Sequence, residues 1–260
     1  MDMRPSRTLK KLRAGEIVSC MKINLADIRA AEIAAMCGYD CLWLDMEHVP
    51  NDWIAIENQI RAAKNYDTDV MVRVSKGCYS DFVKPLECDA AGIMVPHIMN
   101  LQEAKNVVRM TKFHPVGRRP IDGGNVDGAY CMIEYEKYIV QANRERFVVV
   151  QIEDPEPLDD VEKIAELDGI DMLFFGPGDF SQGIGAPADW KNPLLLKTRK
   201  RVAELARKNG KFAGTVGSLN TWQELADMGY QFISLGADVV ALWLYFKDML
   251  SKFSTVKAKQ

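Results

Sequence analysis

The fold is decided by the stretch Phe147–Phe180, which reads FVVVQIEDPEPLDDVEKIAELDGIDMLFFGPGDF. Its apolar runs Phe147–Ile152 and Met172–Phe175 are rich in β-branched or aromatic residues and too short for helices, so both are predicted strands. Between them, apolar residues recur at helical spacing over Leu158–Leu167. Strand, helix and strand within about thirty residues form a βαβ unit, which requires a parallel sheet.

A carboxylate follows each of these two strands, in a loop marked by proline or glycine. Glu153 follows the first strand directly, and Asp179 closes the segment Gly176–Asp179 after the second. Neighbouring strands of a parallel sheet end on the same edge, so the two side chains can converge on one divalent cation. The alternative is that each acid only caps the helix that follows it. The matched position on adjacent strands favours a metal site.

The same alternation of short apolar runs and helical patterns continues through the chain. Further strands are predicted at Ile17–Ile23, Cys41–Leu44, Val70–Val74, Ile93–Val95, Phe212–Val216 and Phe232–Leu235. Helical patterns occur at Leu25–Met36, Trp53–Ala63, Asp81–Cys88, Leu101–Met110, Leu194–Asn209, Trp222–Met228 and Ala237–Phe253. This alternation, without a linker, predicts an α/β fold: a single (β/α)8 TIM barrel that forms one domain over residues 1–260. An open Rossmann-like sheet is the alternative, but no glycine-rich dinucleotide fingerprint follows any strand.

Three segments depart from a plain alternation. The connection Thr111–Arg146 is long and contains a tyrosine-rich helical stretch at Tyr130–Ala142. Pro85 lies inside the helical pattern Asp81–Cys88 and is expected in its first turn, where proline is tolerated. The last helix is apolar all round at Val239–Phe246, which predicts that another subunit covers or exchanges it. A place at the edge of the chain's own core is the alternative.

The composition excludes several classes of function. The net charge is −3 and the pI is near 5.7, so the sequence does not resemble a nucleic-acid-binding protein. No apolar run is long enough to span a bilayer, and the basic segment 1–16 lacks the apolar core of a signal peptide. Six cysteines without a second close pair indicate reduced thiols rather than a zinc site. A cytoplasmic protein without membrane or nucleic-acid partners is expected.

Polar side chains gather where the predicted strands end, which in a barrel is the face that carries function. They are Asp45, Glu47, His48, Arg73, Gln151, Glu153 and Asp179. Two carboxylates hold a divalent metal while leaving most of its coordination sphere to water and a 2-oxo acid. The metal as a Lewis acid and the permanently charged Arg73 can stabilise an enolate oxygen. His48, with acidic neighbours, suits proton transfer.

Each assignment has a structural alternative. A lone histidine such as His48 is more often a structural hydrogen-bond partner, and Arg73 could pair with an acid at the barrel mouth. His97 follows the fourth strand but is a weaker candidate, because a loop role facing solvent weighs at least as much. Lys22 and Lys76 follow strands one and three, which leaves open a class I aldolase with a Schiff-base lysine.

Several short motifs resemble the HpcH/HpaI family of class II, metal-dependent pyruvate aldolases. They are Leu44–His48, Val72–Val74, Gly92–Pro96, Gly117–Arg119, Val150–Glu153 and Gly176–Asp179, in the order and spacing of that family. The resemblance extends over Gly15–Asp248. It implies a (β/α)8 barrel, a hexamer built as a trimer of dimers that swap the last helix, and a requirement for Mg²⁺, Mn²⁺ or Co²⁺.

The resemblance also implies roles for individual residues. Glu153 and Asp179 would bind the metal, while His48 and Arg73 would act on the enolate. Substrate contacts are expected from Gln151, Gly178, Arg119 and Val216.

The sequence departs from the family pattern at three places. The family usually has an Asp-x-Gly turn before its fourth strand, whose Asp orients the catalytic histidine, often in a neighbouring subunit. Here Glu87 takes the Asp position and is the expected partner of His48, with Asp89 as the alternative. His97 replaces a small or apolar residue, and Pro120 replaces a common glycine in the loop that tends to meet the aldehyde.

The predicted activity is that of a carbon–carbon lyase, which cleaves a 4-hydroxy-2-oxo acid to pyruvate and an aldehyde through a metal-stabilised pyruvate enolate. A related alternative is another reaction through the same enolate, either oxaloacetate decarboxylation or a citrate-lyase-like cleavage. The alternative from a different class is a barrel that binds a 2-oxo acid without turnover.

Overall fold

The computed structural model describes residues 1–256 and contains a closed barrel of parallel strands. The strands are β1 (Val18–Ile23), β2 (Cys41–Asp45), β3 (Asp69–Arg73), β4 (Gly92–Val95), β5 (Phe147–Ile152), β6 (Met172–Phe175), β7 (Phe212–Gly217) and β8 (Phe232–Ala237). Each strand pairs in parallel with the next, and β8 pairs with β1 to close the sheet. The predicted (β/α)8 barrel is confirmed.

One helix precedes β1, and the others follow the strands around the barrel. The helices are α1 (Arg7–Arg13), α2 (Ile28–Met36), α3 (Trp53–Lys64), α4 (Tyr79–Glu87), α5 (Leu101–Thr111), α6 (Tyr135–Glu145), α7 (Val161–Glu166), α8 (Pro177–Gly183), α9 (Pro193–Lys208), α10 (Trp222–Met228) and α11 (Asp238–Phe253). Polar side chains begin several of them: Asp52 accepts a hydrogen bond from the amide of Ala55 at the start of α3. Such caps satisfy amides that have no partner inside the helix.

Side chains alternate between two core layers along each strand, because the side-chain period of a strand is two residues. On β5, Val148 faces the helices, whereas Val149 faces the barrel interior. Large rings fill that interior: Trp43 packs edge-on against Phe174 at 5.6 Å, and Phe174 packs against Phe232 at 6.4 Å. The barrel is therefore packed rather than hollow, and a ligand can lie only at one of its ends.

The basic N-terminal segment forms α1, a helix that the sequence patterns do not predict. Leu9 of α1 is buried in the interior cluster of the barrel. Ion pairs anchor the segment; among them, Arg4 lies 2.6 Å from Asp69, and Lys11 lies 2.8 Å from Asp40. Because these acids stand at the starts of β3 and β2, the helix closes the end of the barrel opposite to the expected functional face.

Two local predictions were wrong. Pro85 lies near the C-terminal end of α4 rather than in its first turn, because the helix begins at Tyr79, earlier than expected. At that place the proline removes one backbone hydrogen bond near the helix end. The tyrosine-rich stretch becomes helical only at Tyr135, because Tyr130 and Cys131 have φ values of 55° and 66°, which a right-handed helix excludes.

The last helix, α11, leaves its apolar side chains uncovered. No residue of α11 is buried, and Trp243 and Phe246 are among its exposed aromatic rings. Its start is fixed by Asp238, whose carboxylate accepts hydrogen bonds from the amides of Asn24 and Leu25 at 2.8 Å and 3.0 Å. The exchange of this helix between subunits stays a prediction. Among the described residues, no helix has the length and apolar character needed to cross a bilayer.

Candidate functional site

The carboxyl ends of β2, β3 and β5 direct polar side chains into one space at the barrel mouth. Asp45 lies two residues after Trp43, and Gln151 lies two residues after Val149, so both share the inward face of those core residues. Arg73 ends β3 and is paired with Asp45 in the register of the sheet. The alternation of the strands therefore brings together residues that are distant in sequence.

Arg73 is held in place by two carboxylates and an aromatic ring. Its Nε and Nη2 donate to Asp45 Oδ1 at 3.0 Å and Oδ2 at 2.5 Å, and its Nη1 lies 2.9 Å from Glu47 Oε2. The guanidinium also lies 4.7 Å from the centre of the Trp43 ring, within cation–π range. Its side chain is 4% exposed. A guanidinium has five N–H groups, so these contacts fix its position and still leave donors for a ligand.

Asp45 keeps its negative charge because two cations flank it. Lys22 Nζ lies 2.9 Å from Asp45 Oδ2, the same oxygen that accepts from Arg73 Nη2. Burial by itself would raise the pKa of Asp45, but the hydrogen bonds and charges of Arg73 and Lys22 outweigh burial and lower the pKa to about 2. Asp45 therefore orients Arg73 as a fixed carboxylate.

The two lysines near the mouth are both engaged. Lys22 contacts Asp45, as described above, and Lys76 Nζ lies 2.8 Å from Glu103 and donates to the carbonyl oxygen of His97 at 2.5 Å. A Schiff-base lysine must instead present a free amine to a carbonyl carbon. Neither lysine has that arrangement.

Glu153 is a buried acid of the mouth, held by two hydrogen-bond donors. Gln151 Nε2 donates to its Oε2 at 2.7 Å, and the backbone N–H of His97 donates to its Oε1 at 2.8 Å. Gly176 presses against the same carboxylate, since a Cβ at that glycine would lie 2.6 Å from Glu153 Oε2. Burial raises the pKa of Glu153 to about 7, with His97 opposing the rise and the charges of Asp179 and Glu47 adding to it.

The residues around Glu153 fit a divalent cation. Within residues 1–256, no group of three or more His, Cys, Asp or Glu side chains is arranged to hold a metal ion. Glu153 and Asp179 nevertheless lie close enough for their charges to interact, and Gln151 Oε1 is buried without a hydrogen-bond partner among the described residues. All are oxygen ligands of the kind that Mg²⁺ and Mn²⁺ prefer, with the remaining positions left to water and substrate.

Asp179 lies on a helix that the sequence patterns do not predict. The segment Gly176–Asp179 was expected to be a loop, but Pro177 is the first residue of α8 and Asp179 lies in its first turn. Proline at the first helical position and an acid in the first turn are typical of a helix start. Both features can be read from the sequence, so the start of α8 could have been predicted.

The two histidines near the mouth differ in how firmly they are held. His48 is 57% exposed, and its Nε2 lies 3.6 Å from Glu47 Oε2. His97 is more enclosed: its Nδ1 lies 2.8 Å from Asp154 Oδ2, and its Nε2 lies 3.4 Å from Glu47 Oε1. Burial lowers the pKa of His97, but Asp154, Glu153 and Glu47 outweigh it, and the net shift is upward.

His97 therefore belongs to the mouth, although the sequence favoured a solvent-facing role for it at least equally. Asp154, which the sequence patterns do not single out as a candidate, lies against the same histidine. The sequence did contain a signal for both residues. His97 and Asp154 lie in the loops that follow β4 and β5, and such loops form the functional face of a barrel.

Glu87 and Arg119 do not reach the mouth of their own barrel. Arg119 is buried, with its Nη2 2.8 Å from Asp127 Oδ2 and 3.2 Å from Tyr138 Oη. Glu87 is near this group, because its carbonyl oxygen accepts from the Asp127 amide at 3.4 Å and the charge of Arg119 acts on its carboxyl. Burial gives Glu87 a net raised pKa. The predicted contact of Arg119 with substrate stays a prediction.

The alternative partner of His48, Asp89, is also remote from it. Asp89 contacts Lys64 at the end of α3 and Arg146 just before β5. Both contacts lie at the N-terminal end of the barrel. Neither candidate acid therefore touches His48 of the same chain.

Gly178 and Val216, the remaining expected substrate contacts, lie on the mouth side and adjoin each other. Both line one cavity next to the start of α8. A Cβ added at Gly178 would have no heavy atom within 4 Å, so its backbone is open to a ligand. Val216 is exposed at the end of β7.

Comparison with known proteins shows the family of the chain. Residues 19–243 match the model of the HpcH/HpaI aldolase/citrate lyase family. The chain is 28% identical over 254 residues to hydroxypyruvate/pyruvate aldolase of Pseudomonas aeruginosa, covering 97% of this chain and 94% of that protein. It is 29% identical over 249 residues to 2-keto-3-deoxy-L-rhamnonate aldolase of Escherichia coli strain K12, covering 95% of this chain and 93% of that protein.

A solved structure has the same fold as this chain. An HpcH/HpaI aldolase/citrate lyase family protein from Burkholderia cenocepacia J2315 superposes with a TM-score of 0.89 at 28% identity, covering 97% of this chain and 100% of that one. The match extends over the barrel and over the motifs that supply the mouth. This chain belongs to the HpcH/HpaI aldolase/citrate lyase family.

Proposed function

We propose that this chain is a divalent-metal-dependent pyruvate aldolase, which cleaves a 4-hydroxy-2-oxo acid to pyruvate and an aldehyde. One observation carries the proposal: the carboxylate of Glu153 is buried at the mouth between Gln151 Nε2 and the His97 amide, and the buried Oε1 of Gln151 has no hydrogen-bond partner among the described residues. A buried carboxylate beside an unpaired acceptor is unfavourable alone and becomes favourable around a cation. The aldolase relatives support the carbon–carbon lyase chemistry.

The 2-oxo acid would lie between Arg73 and the start of α8. The backbone at Gly178 is open and lies in the first turn of that helix, so its N–H can approach the substrate carboxylate. Arg73, fixed by Asp45 and Glu47, presents its remaining N–H groups to the ketone oxygen. Gln151 holds Glu153 in place through its amide.

Bond cleavage begins when a base takes the proton of the C4 hydroxyl. We assign this proton transfer to His48, whose exposed ring lies beside Glu47. The electrons of the C3–C4 bond then pass to the enolate of pyruvate while C4 becomes the aldehyde carbonyl. Arg73 stabilises the negative enolate oxygen until C3 is protonated. A Mg²⁺, Mn²⁺ or Co²⁺ ion bound by Glu153 and Asp179 would supply Lewis-acid polarisation of the ketone.

The site would be completed by a neighbouring subunit. Glu87 lies away from the mouth of its own barrel. We therefore assign it as the carboxylate partner of His48 in an adjacent copy of the chain. The uncovered apolar face of α11 supports assembly through exchange of this helix, with a hexamer built as a trimer of dimers. Arg119 is buried in its own chain, and contact with an aldehyde would require its loop to rearrange on assembly.

Other reactions through the same enolate are the related alternatives. Oxaloacetate decarboxylation and citrate-lyase-like cleavage would use the same metal carboxylates and Arg73. A class I mechanism is disfavoured because Lys22 and Lys76 are both engaged by carboxylates. A barrel that binds a 2-oxo acid without turnover is the alternative outside enzymes.

Exchange of the pyruvate methyl protons into D₂O tests the proposal, because it needs only the enolate and no aldehyde. We expect exchange with Mn²⁺, none after chelation, and a loss of at least about a hundredfold in Glu153→Gln. Exchange that survives chelation and is inactivated by borohydride would instead indicate a Schiff base. Absence of exchange with every metal would contradict the proposal, and turnover of oxaloacetate but not of hydroxy-oxo acids would favour the decarboxylase.

A further inference from the structure

Glu47 contacts both side chains to which the proposed reaction assigns proton transfer and enolate stabilisation. Its Oε2 lies 2.9 Å from Arg73 Nη1 and 3.6 Å from His48 Nε2. The Glu47 side chain is 15% exposed, so its carboxylate lies among these groups rather than in solvent. The orientation of this carboxylate therefore influences Arg73 and His48 together.

The contacts with Arg73 and His48 do not fix that orientation by themselves. Glu47 Oε2 is buried and accepts no hydrogen bond from any residue between 1 and 256, so its contact with Arg73 is an ion pair without hydrogen-bond geometry. The attraction between two charges depends on their distance, whereas a hydrogen bond also depends on direction. A further group has to hold the other oxygen if the carboxylate is to keep one orientation.

The imidazole of His97 lies at the other oxygen. Its Nε2 lies 3.4 Å from Glu47 Oε1, and its Nδ1 lies 2.8 Å from Asp154 Oδ2. The ring thus connects the loop after β2 with the loop after β5. Because each ring nitrogen contacts a different acid, the ring cannot rotate without losing one of the two contacts.

The backbone of His97 is anchored on both sides of the residue. Its N–H donates to Glu153 Oε1 at 2.8 Å, and its carbonyl oxygen accepts from Lys76 Nζ at 2.5 Å. Lys76 Nζ in turn lies 2.8 Å from Glu103 Oε2, at the start of α5. With its main chain held in this way, His97 presents its ring to Glu47 from a fixed position.

Arg73 and His48 depend on Glu47 to different extents. Asp45 also holds Arg73, by accepting hydrogen bonds from its Nε and Nη2. His48 is 57% exposed, and within residues 1–256 Glu47 is the one acid within 4.0 Å of its ring nitrogens. A change in the orientation of Glu47 should therefore disturb proton transfer more than it disturbs binding of the ketone.

We propose that His97 is a positioning residue, whose imidazole holds Glu47 in the orientation that Arg73 and His48 require for enolate formation. Nε2 acts on Glu47, while Nδ1 anchors the ring on Asp154. In this role His97 acts through Glu47 and does not itself contact the substrate. The inference rests on the proposed aldolase function, because enolate formation is the step that it serves.

Two amide variants of His97 test the inference, because each keeps one of the two ring contacts. The amide nitrogen of His97→Gln takes the place of Nε2 at Glu47, whereas that of His97→Asn takes the place of Nδ1 at Asp154. With Mn²⁺ and pyruvate in D₂O, we expect His97→Asn to lower kcat for methyl-proton exchange about tenfold, and His97→Gln to stay within about threefold of the wild type. KM for pyruvate and the affinity for Mn²⁺ should change by less than about threefold in both.

The stability of the two variants should follow the opposite order. The φ of His97 is 49°, a conformation that asparagine adopts more readily than glutamine. We therefore expect His97→Asn to unfold at a higher urea concentration than His97→Gln, although it is the slower enzyme. A role confined to the structure of the loop would instead make the more stable variant the more active one.

A double-mutant cycle with Glu47→Gln identifies the residue through which His97 acts. Glu47→Gln removes the charge that Nε2 holds, so the difference in kcat between the two amide variants should shrink to less than about twofold in that background. If His97 acted on the substrate directly, the difference would persist.

Several results would overturn the inference. They are equal exchange by the two amide variants, faster exchange by His97→Asn, and a difference in kcat that persists with Glu47→Gln. A loss that appears only in the affinity for Mn²⁺ would also overturn it, because the effect would then lie at the backbone contact with Glu153. In each case the wild-type protein still exchanges, and the proposed function stands. If the wild-type protein exchanges no methyl protons, the proposed function fails and this inference fails with it.

Discussion

His97 donates its backbone N–H to Glu153 Oε1 at 2.8 Å while its own φ is 49°, in the left-handed region. A side chain other than glycine pays about 1 kcal/mol or more for that conformation. The backbone at His97 therefore positions a proposed metal ligand at the cost of local strain. Its imidazole, between Asp154 and Glu47, ties the same loop to the neighbouring strands.

Two variants of His97 separate the backbone from the ring. His97→Gly and His97→Ala both remove the imidazole contacts, but only glycine adopts a positive φ without strain. We expect His97→Gly to be more stable than His97→Ala by about 1 kcal/mol in urea unfolding. Equal stability, or a more stable alanine variant, would show that the left-handed conformation is not present.

Gly176 is required because Glu153 lies against it. A Cβ at Gly176 would lie 2.6 Å from Glu153 Oε2 and 2.7 Å from Glu153 Cβ. We expect Gly176→Ala to displace the carboxylate, weaken Mn²⁺ binding and cost about 1–3 kcal/mol of stability. Gly178→Ala, which meets no atom within 4 Å, is the matched control for stability. If both alanine variants unfold alike, the close approach of Glu153 is wrong.

The contacts of Asp45 predict a pH dependence of stability. Its pKa is about 2 in the folded protein against an ordinary 3.8, so its charged form stabilises the fold above pH 4 and this contribution is lost as pH falls through 2. Between pH 5 and pH 3, roughly 1 kcal/mol of the wild-type decrease should come from Asp45. In urea unfolding, the free energy of unfolding of Asp45→Asn should therefore fall by roughly 1 kcal/mol less than that of the wild type between pH 5 and pH 3. An unchanged slope would mean that Asp45 is not paired with Arg73 and Lys22.

The exposed face of α11 predicts an oligomer. Trp243 is 59% exposed and Phe246 is 63% exposed, although both are large apolar rings. Because burying such surface is favourable, we expect sedimentation to give a species larger than the monomer. Phe246→Asp should shift it to a smaller species, whereas Lys252→Ala, a polar position of the same helix, should not. A wild-type monomer at micromolar concentration would contradict the exchange of α11.

The strand pattern could be predicted from sequence because each strand is short, apolar and followed by a turn signal. Phe147–Ile152 and Met172–Phe175 have the predicted bounds. The α1 helix was missed because its seven residues offer only Leu9 and Leu12 as apolar positions. Its stability comes from the core beneath it.

The directions of side chains in long connections could not be predicted. Arg119 belongs to the family motif Gly117–Arg119, yet its guanidinium is buried against Asp127 and Tyr138. That choice depends on contacts between residues of one loop and α6, which no periodicity encodes. The left-handed backbone of His97 is equally invisible in the sequence, since only glycine signals a positive φ by its identity.

Titration with Mn²⁺, followed by its electron paramagnetic resonance signal, tests the central claim most directly. Glu153 and Asp179 are proposed to share one cation per chain, so wild-type protein should bind one equivalent, and added oxalate should change the spectrum of the bound ion. Glu153→Gln and Asp179→Asn should each weaken binding by about tenfold or more while leaving the fold intact. Wild-type affinity and stoichiometry in both variants would contradict the account.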